Sequence, residues 1–434
     1  MVVHLPVEIY ACIFRYLLDD LYDPEDDDEI VEKGRQEAFK LRLVSKAVRG
    51  ILDPLLYRKL RCPSDRAVKI LCHTMIAQPG LGARAEQIDV DEKEEEEEDD
   101  DADEDDSDLE IRRLARKERE VIIAAAETIK HTFQSDPTSR YSRALEKNDL
   151  NWLTRSTDKT RKWILLFQLS NLKSLTLKTH TDKFTNMALF LRLPCLEELE
   201  FAVLASGPDG PACAVDNYAP PEEILATIIS STSQLKSLKF EDMSGTVYQP
   251  VQHDAPKLKR ILEQHAAATL TYLSICLTNN DEKDWRMEQE FSYIKGYFGS
   301  MEKFTRLQGL VMQLEVLLGR PSDGLRLRDV LPAQLQYFTG LNLPDYHGAE
   351  DTDRLWEEEN YLWQFQDLAE ATMDRRQFAS LESVKMHLNR KDYFGITFDW
   401  PHKGQYNDGI IPAGSRIYFG WVSGPYGRDG PGPD

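Results

Sequence analysis

The 434-residue chain has no C-x-x-C pair, no Asn-x-Ser/Thr sequon and no apolar run long enough to cross a bilayer. Its six cysteines, Cys12, Cys62, Cys72, Cys195, Cys213 and Cys276, are scattered. Without sequons or paired thiols, the chain fits a reducing compartment, so a cytoplasmic and/or nuclear location is expected. A membrane span needs roughly 18 or more consecutive apolar residues. The longest candidate, Trp163 to Leu169, reads instead as a buried strand or helix turn, and no membrane partner is expected. The opening Met-Val-Val-His-Leu-Pro has no basic region followed by an apolar stretch, so no secretory signal is expected.

Chemical motifs are equally scarce. There is no Walker loop, no Gly-x-Ser-x-Gly elbow, no His-Glu-x-x-His and no pair of closely spaced Cys/His ligands for zinc. Gly80-x-Gly82-x-x-Ala85 has the outline of a dinucleotide loop, but no strand precedes it and an acidic tract follows. Nothing around the cysteines marks an activated thiolate. No cofactor, no metal and no catalytic residue are therefore expected.

Positive charge is also in deficit, with 53 Lys plus Arg against 75 Asp plus Glu, a formal charge of -22. The deficit is local. Residues 89–110 hold 17 acids and one lysine, and residues 19–32 hold nine acids and no base, which leaves +3 for everything else. Segments so charged repel themselves and are predicted not to pack. The near-neutral remainder has no basic domain, so no nucleic acid is expected as a partner. Arg112, Arg113, Arg116, Lys117 and Arg119 after the acidic run read as a solvated helix face.

The apolar residues that are present fall into two patterns. Near the start, Ile9, Ile13 and Leu17 recur every four residues behind Pro6, and Leu41, Val44, Val48 and Leu52 form a second helical face. Asp53 and Pro54 predict an N-cap and first turn of a third helix through Leu60. Three short helices expose more apolar surface than they can bury alone, so a partner helix is the natural cover. The motifs Leu5-Pro6-x-Glu8-Ile9, Ile13-Phe14-x-x-Leu17, Leu41-Arg42-Leu43-Val44-Ser45-Lys46-x-x-Arg49 and Pro54-Leu55-Leu56-Tyr57-Arg58-x-Leu60 together resemble the F-box of fungal F-box proteins. The gap between Leu17 and Leu41 is longer and more acidic than the family's usual connection. The resemblance implies docking on a Skp-family adaptor through Leu5, Pro6, Ile9, Ile13, Leu43, Val44 and Tyr57.

The second pattern is a repeat. Leu172-x-x-Leu175-x-Leu177 recurs from Leu196, Leu235, Leu270, Leu307 and Leu381, with a weaker copy at Leu335-x-x-Phe338. The last two apolar positions share one face of a short strand, each strand pairing in parallel with the next, as in leucine-rich repeats. Spacings of 24 to 46 residues predict helices between strands, over Ile224 to Ile229, Leu258 to Leu262 and Leu355 to Leu368. A doubly wound sheet is the main competing architecture.

The expected fold is α/β: a three-helix F-box at 1–62, a connector with acidic tract and helix at 63–160, an irregular leucine-rich-repeat-like horseshoe with a curved parallel sheet at 161–412, and a last strand with a Gly/Pro-rich tail at 413–434. The resemblance implies a non-catalytic substrate-recognition subunit of an SCF-type cullin-RING ubiquitin ligase, partnered by the Skp-family adaptor, the cullin scaffold and a protein substrate. Residues alternating with the buried ones would contact that substrate, foremost Glu198, Glu200, Lys239, Tyr272, Lys385 and His387. The other readings are an F-box scaffold outside ubiquitin transfer and a divergent α/β enzyme.

Overall fold

The computed structural model describes residues 40–41, 46–62, 65–90, 120, 123–124, 165–166, 169–180, 191–204, 221–245, 253–279, 294–319, 324–341, 363–365, 367–368, 371, 378, 380–387, 394–399 and 417–421. The chain divides into two units, one of Met1–Leu177 and Met187–Leu196, the other of Lys178–Asn186 and Glu197–Asp434.

In the first unit, α1 (Lys46–Leu56) leads into β1 (Lys59–Cys62), then come α2 (Asp65–Ala77), α3 (Pro79–Gly82) and β2 (Gln87–Val90). β3 (Ser174–His180) pairs with β2 through its first four residues, which belong to this unit. All three strands run parallel in chain order. α1 buries Leu52 and Leu56, four residues apart and so on one helical face. α2 buries Val68, Cys72 and Met75, four and then three residues apart and so on one face.

Two expectations are corrected here. Asp53 and Pro54 do not begin a third helix: they lie inside α1, where Arg49 Nε reaches Asp53 Oδ2 at 3.4 Å one turn earlier. Proline forfeits only the N–H that would bond Gly50, and the helix ends two residues later, so continuity costs one bond. Leu60 belongs to β1. Nor is the start of 63–160 a connector, because Asp89 and Val90, assigned to the acidic tract, are strand residues in register between β1 and β3. A charge count averages over a window, whereas a strand needs only alternate residues apolar; Ile88 and Val90 are buried and Asp89 is on the other face. Tyr57-x-x-Leu60-x-Cys62 and Ala85-x-x-Ile88-x-Val90 thus carry the repeat pattern earlier than residue 165.

The second unit continues that pattern through β4 (Glu198–Leu204), β5 (Ser237–Gly245), β7 (Tyr272–Asn279), β9 (Gly309–Gln313), β10 (Tyr337–Leu341) and β11 (Ser383–His387), each parallel to the next. β12 (Phe394–Asp399) and β13 (Ile417–Trp421) add on as antiparallel strands, the latter over the expected last strand. β6 (His253–Asp254) and β8 (Ile294–Lys295) form a separate parallel pair. Strand order within each unit follows chain order, whereas a doubly wound sheet turns back at a switch point. The described residues are thus α/β, with nine strands in parallel pairing besides the β6–β8 pair.

Two of the predicted helices lie where expected. α4 (Pro221–Ser230) buries Ile224, Leu225, Ile228 and Ile229. α5 (Ala255–His265) is capped by Asp254, whose Oδ1 accepts the Lys257 N–H at 2.8 Å, with Pro256 in its first turn. Short helices α6 (Leu314–Leu318) and α7 (Leu327–Val330) follow β9. Within the third predicted helix, residues 363–365 and 367–368 are helical and bury Phe365 and Leu368.

One backbone device recurs at six of the described strand starts. The N–H groups of Lys236 and Ser237 both donate to the Glu197 carbonyl, at 2.7 and 3.0 Å, and Thr271 with Tyr272 repeat this on Lys236 at 2.7 and 3.0 Å. Gln308 with Gly309 use Thr271, and Gln336 with Tyr337 use Gln308. The first unit does the same, Glu86 and Gln87 on Arg58, Lys173 and Ser174 on Glu86. Before several of these hooks a tight turn brings the first repeat leucine inward, as where the Leu307 N–H bonds the Phe304 carbonyl at 3.1 Å and that of Leu335 bonds Pro332 at 3.1 Å.

The weak copy at Leu335 has a physical cause. Its third apolar position is Gly340, where a Cβ would sit 2.7 Å from Phe365 Cζ and 2.9 Å from Leu314 Cδ2. The Phe365 ring, stacked on Phe338 at 5.8 Å, fills the space that an aliphatic side chain takes elsewhere. Gly340→Ala should therefore destabilise the protein by about 1–3 kcal/mol through overpacking, read as a lower urea midpoint. An unchanged midpoint would show that Phe365 retreats freely.

Candidate binding surface

Alternation along each strand decides what faces out. In strands β4 to β11 the apolar repeat residues Leu199, Phe201, Leu238, Phe240, Leu273, Ile275, Leu310 and Met312 are buried. The residues between them make rows across the sheet, held in register by the ladder: Glu198, Ser237, Tyr272, Gly309 and Tyr337 in one, Glu200, Lys239, Ser274, Val311, Thr339 and Lys385 in the next.

Of the expected contact residues, Glu198, Tyr272 and Lys385 are exposed and Glu200 and Lys239 are half-buried. His387 ends β11 in register with Leu341. Lys239 Nζ lies 2.8 Å from Glu200 Oε1 and 3.3 Å from Glu241 Oε1. Burial alone would lower the Lys239 pKa, but the hydrogen bond to Glu200 and the charge of Glu241 outweigh it and hold the ammonium above its ordinary value. Lys236 pairs with Glu197 beside it. This part of the surface is a lattice of mutually satisfied charges.

Two residues that alternate with the apolar repeat positions are themselves buried. Ser274 is buried, a short side chain in register between Lys239 and Val311. Gln313 is buried because the β7–β9 ladder stops at Ile275 and Met312, leaving the Leu277 N–H without a strand partner; Gln313 Oε1 accepts it at 2.7 Å.

Aromatic residues mark the middle of the surface. Tyr272 is 38% exposed and Tyr337 49%, one on each side of Gly309 at the same register. A Cβ at Gly309 would come 2.7 Å from Tyr272 Cδ2, so the tyrosine ring occupies the space a side chain there would fill. Tyr337 Oη donates to Glu382 Oε2 at 2.9 Å, and that bond holds the phenol above its ordinary pKa. Sequence reading singled out Tyr272 and missed Tyr337, although Tyr337 follows Leu335 at the same offset as Tyr272 follows Leu270.

Of the adaptor-contact residues, Leu5, Pro6, Ile9, Ile13, Leu43 and Val44 lie outside the described residues. Tyr57 is described and is only 7% exposed: it follows α1 directly, with its N–H on the Asp53 carbonyl, and this chain covers its side chain.

A buried polar group was invisible in the sequence. Asp242 (0% exposed), His253 (1%) and Glu222 (6%) come from β5, β6 and the first turn of α4. His253 Nδ1 lies 3.3 Å from Asp242 Oδ2. Closed to solvent, this group ties the end of β5 to the strand that starts α5. Burial pushes the Glu222 carboxyl above its ordinary pKa, Asp242 adds repulsion, and its own backbone N–H, His253 and Lys257 oppose the rise.

A carboxyl whose folded pKa is raised costs nothing while protonated in both states; folded stability falls as pH climbs through the raised value. Glu222→Gln should therefore gain stability relative to the wild type between about pH 4.5 and neutrality, measured by denaturant titration at both ends. A pH-independent difference would remove the burial argument.

Among the described residues no cluster of His, Cys, Asp and Glu is arranged to hold a metal, and no helix is long and apolar enough to cross a membrane. No protein-family model matches the chain, and neither curated proteins nor solved structures yield a match.

Proposed function

We propose that the chain is a non-catalytic substrate-recognition subunit of an SCF-type cullin-RING ubiquitin ligase. The F-box-like segment binds the Skp-family adaptor, which connects to the cullin scaffold, and the sheet face binds a protein substrate in the cytoplasm or nucleus. The observation that carries the recognition half is the registered row of exposed side chains with Tyr272 and Tyr337 at its centre. Aromatic residues dominate interface energetics, and a parallel ladder fixes their spacing without help from loops. The adaptor half rests on the four F-box-like motifs between Leu5 and Leu60.

The mechanism is proximity. Holding a substrate lysine near a charged conjugating enzyme raises its effective concentration toward the millimolar range of tethered reactants. The bond-making groups belong to the partner proteins, and this chain supplies binding at two ends.

Affinity purification with the proteasome inhibited tests the whole reading: adaptor, cullin and substrate should co-purify, while adaptor without cullin would favour a scaffold outside ubiquitin transfer. The double change Leu5→Ala and Pro6→Ala should weaken adaptor binding by roughly 2 kcal/mol, about 30-fold. Undiminished co-purification of the adaptor would sink the F-box assignment. Replacing Glu198, Lys239, Tyr272 and Lys385 together should abolish substrate capture and spare the adaptor. Retained capture by the folded quadruple variant would move the substrate to the loops.

A further inference from the structure

Beside α5 the second unit has a cavity of about 370 Å³, and no strand residue lines it. One wall is the α5 face that carries Pro256, Lys259, Arg260 and Glu263; the other is the segment that follows β8, from Tyr297 to Lys303. The two walls are pinned together at both ends. Gly296, at a φ of 65° that suits glycine, passes so close to Pro256 that a Cβ there would sit 2.8 Å from its Cγ. From Pro256 to Glu263 the helix rises about 10 Å, and there Lys303 Nζ meets Glu263 Oε2 at 2.7 Å. Between the pins the segment is fixed not to α5 but to α6 and α7. The N–H groups of Phe298 and Gly299 donate to the Val316 and Leu317 carbonyls at 2.8 and 2.9 Å, and that of Met301 donates to the Val330 carbonyl at 2.8 Å. Backbone bonds therefore hold the cavity open.

Charge and shape then narrow the occupant. The lining carries Lys259, Arg260 and Lys303 against Glu263 and Glu302, a net charge of +1. Glu263 engages both ammonium groups, Lys259 at 3.5 Å on Oε1 and Lys303 on Oε2. Burial would raise the Glu263 pKa, but the hydrogen bond from Lys303 and the charge of Lys259 outweigh it and hold the carboxyl below its ordinary value, so the three groups stay paired at neutral pH. Arg260 is left over. It is exposed, its Nε lies on the Pro256 carbonyl at 3.4 Å, and among the described residues its two terminal nitrogens have no partner. A guanidinium fork matches a carboxylate with two parallel bonds, and a lining of +1 balances one negative charge better than the nearly two of a phosphate monoester. Pro256, Tyr297 and Phe298 add rings to the wall. The volume is at the small end of ligand pockets, which run from roughly 300 to 1,000 Å³.

We propose that this cavity binds a small organic monocarboxylate with an apolar ring, its carboxylate on the Arg260 fork and its ring among Pro256, Tyr297 and Phe298. The inference uses no residue of the strand surface and stands whether or not the chain serves a ligase.

The test uses the full chain and 3-phenylpropionate, with binding read by saturation-transfer NMR and titration. Saturable binding is expected, with a dissociation constant on the order of a millimolar or below. The neutral 3-phenylpropanol and the cationic 3-phenylpropylamine should bind at least about tenfold more weakly, and phenyl phosphate several-fold more weakly. Arg260→Gln should weaken binding about tenfold, and Arg260→Lys, which keeps the charge but not the fork, about threefold. Both variants should keep the wild-type melting temperature, because Arg260 is exposed. Lys295→Gln removes a positive charge just outside the lining and should leave binding unchanged. N-acetyl-phenylalanine, compared with its amide, shows where the carboxylate comes from: if it binds more tightly than 3-phenylpropionate and the amide does not bind, the site takes the end of a polypeptide, and the reverse preference assigns it to a free acid. Equal binding of 3-phenylpropanol, no saturable binding of either carboxylate, an Arg260→Gln variant as tight as the wild type, or an equal loss in Lys295→Gln would each overturn the proposal.

Discussion

Six of the described strands, β2, β3, β5, β7, β9 and β10, start by hanging two consecutive N–H groups on the carbonyl of the residue that leads into the neighbouring strand. That hook, repeated at Arg58, Glu86, Glu197, Lys236, Thr271 and Gln308, sets where those strands begin and therefore which of their residues face in. Side chains alternate with a period of two, so a start shifted by one residue would carry Leu238 and Phe240 into water and Ser237 and Lys239 into the core. The hooks are backbone bonds and indifferent to side-chain identity, which lets spacings from 28 to 46 residues share one ladder in the second unit. Variable insertions leave the strand starts undisturbed because lengthening a loop costs entropy only slowly.

Register in turn organises everything chemical on the surface. Glu200, Lys239 and Glu241 neutralise one another because the ladder puts them on neighbouring positions, and Tyr272 and Tyr337 flank Gly309 for the same reason. Where the ladder runs out, side chains take over: Gln313 supplies the acceptor that β9 no longer offers to Leu277. The buried Asp242 and His253 anchor the β5 end in the same unit. An unpaired buried charge costs far more than its pair contributes, so such groups hold one local arrangement rather than add net stability.

The surface that results has two regions. Charges pair with one another around Lys239, and two part-exposed aromatic rings stand in register on either side of Gly309. On the proposed receptor reading, the exposed rings are where a substrate would make contact.

The sequence by itself determined the parallel α/β character, the strand positions from Leu172 to Met386 and the exposure of Glu198, Tyr272 and Lys385. These follow from local spacing, since a leucine pattern of fixed period states which side of a strand is apolar wherever the strand lies. It misread Pro54 as a helix start, because a proline tolerated near a helix end looks the same as one at its beginning. It also assigned Asp89 and Val90 to the acidic run, because a four-residue strand is too short to stand out from 17 neighbouring acids. Only tertiary structure decided that Glu222, Asp242 and His253 meet, that Gly340 makes room for Phe365, and that Tyr337 lies across Gly309 from Tyr272. Each of these is a contact between residues far apart in the chain, set by the register of neighbouring strands and the packing of helices against them, and no local pattern records such distances.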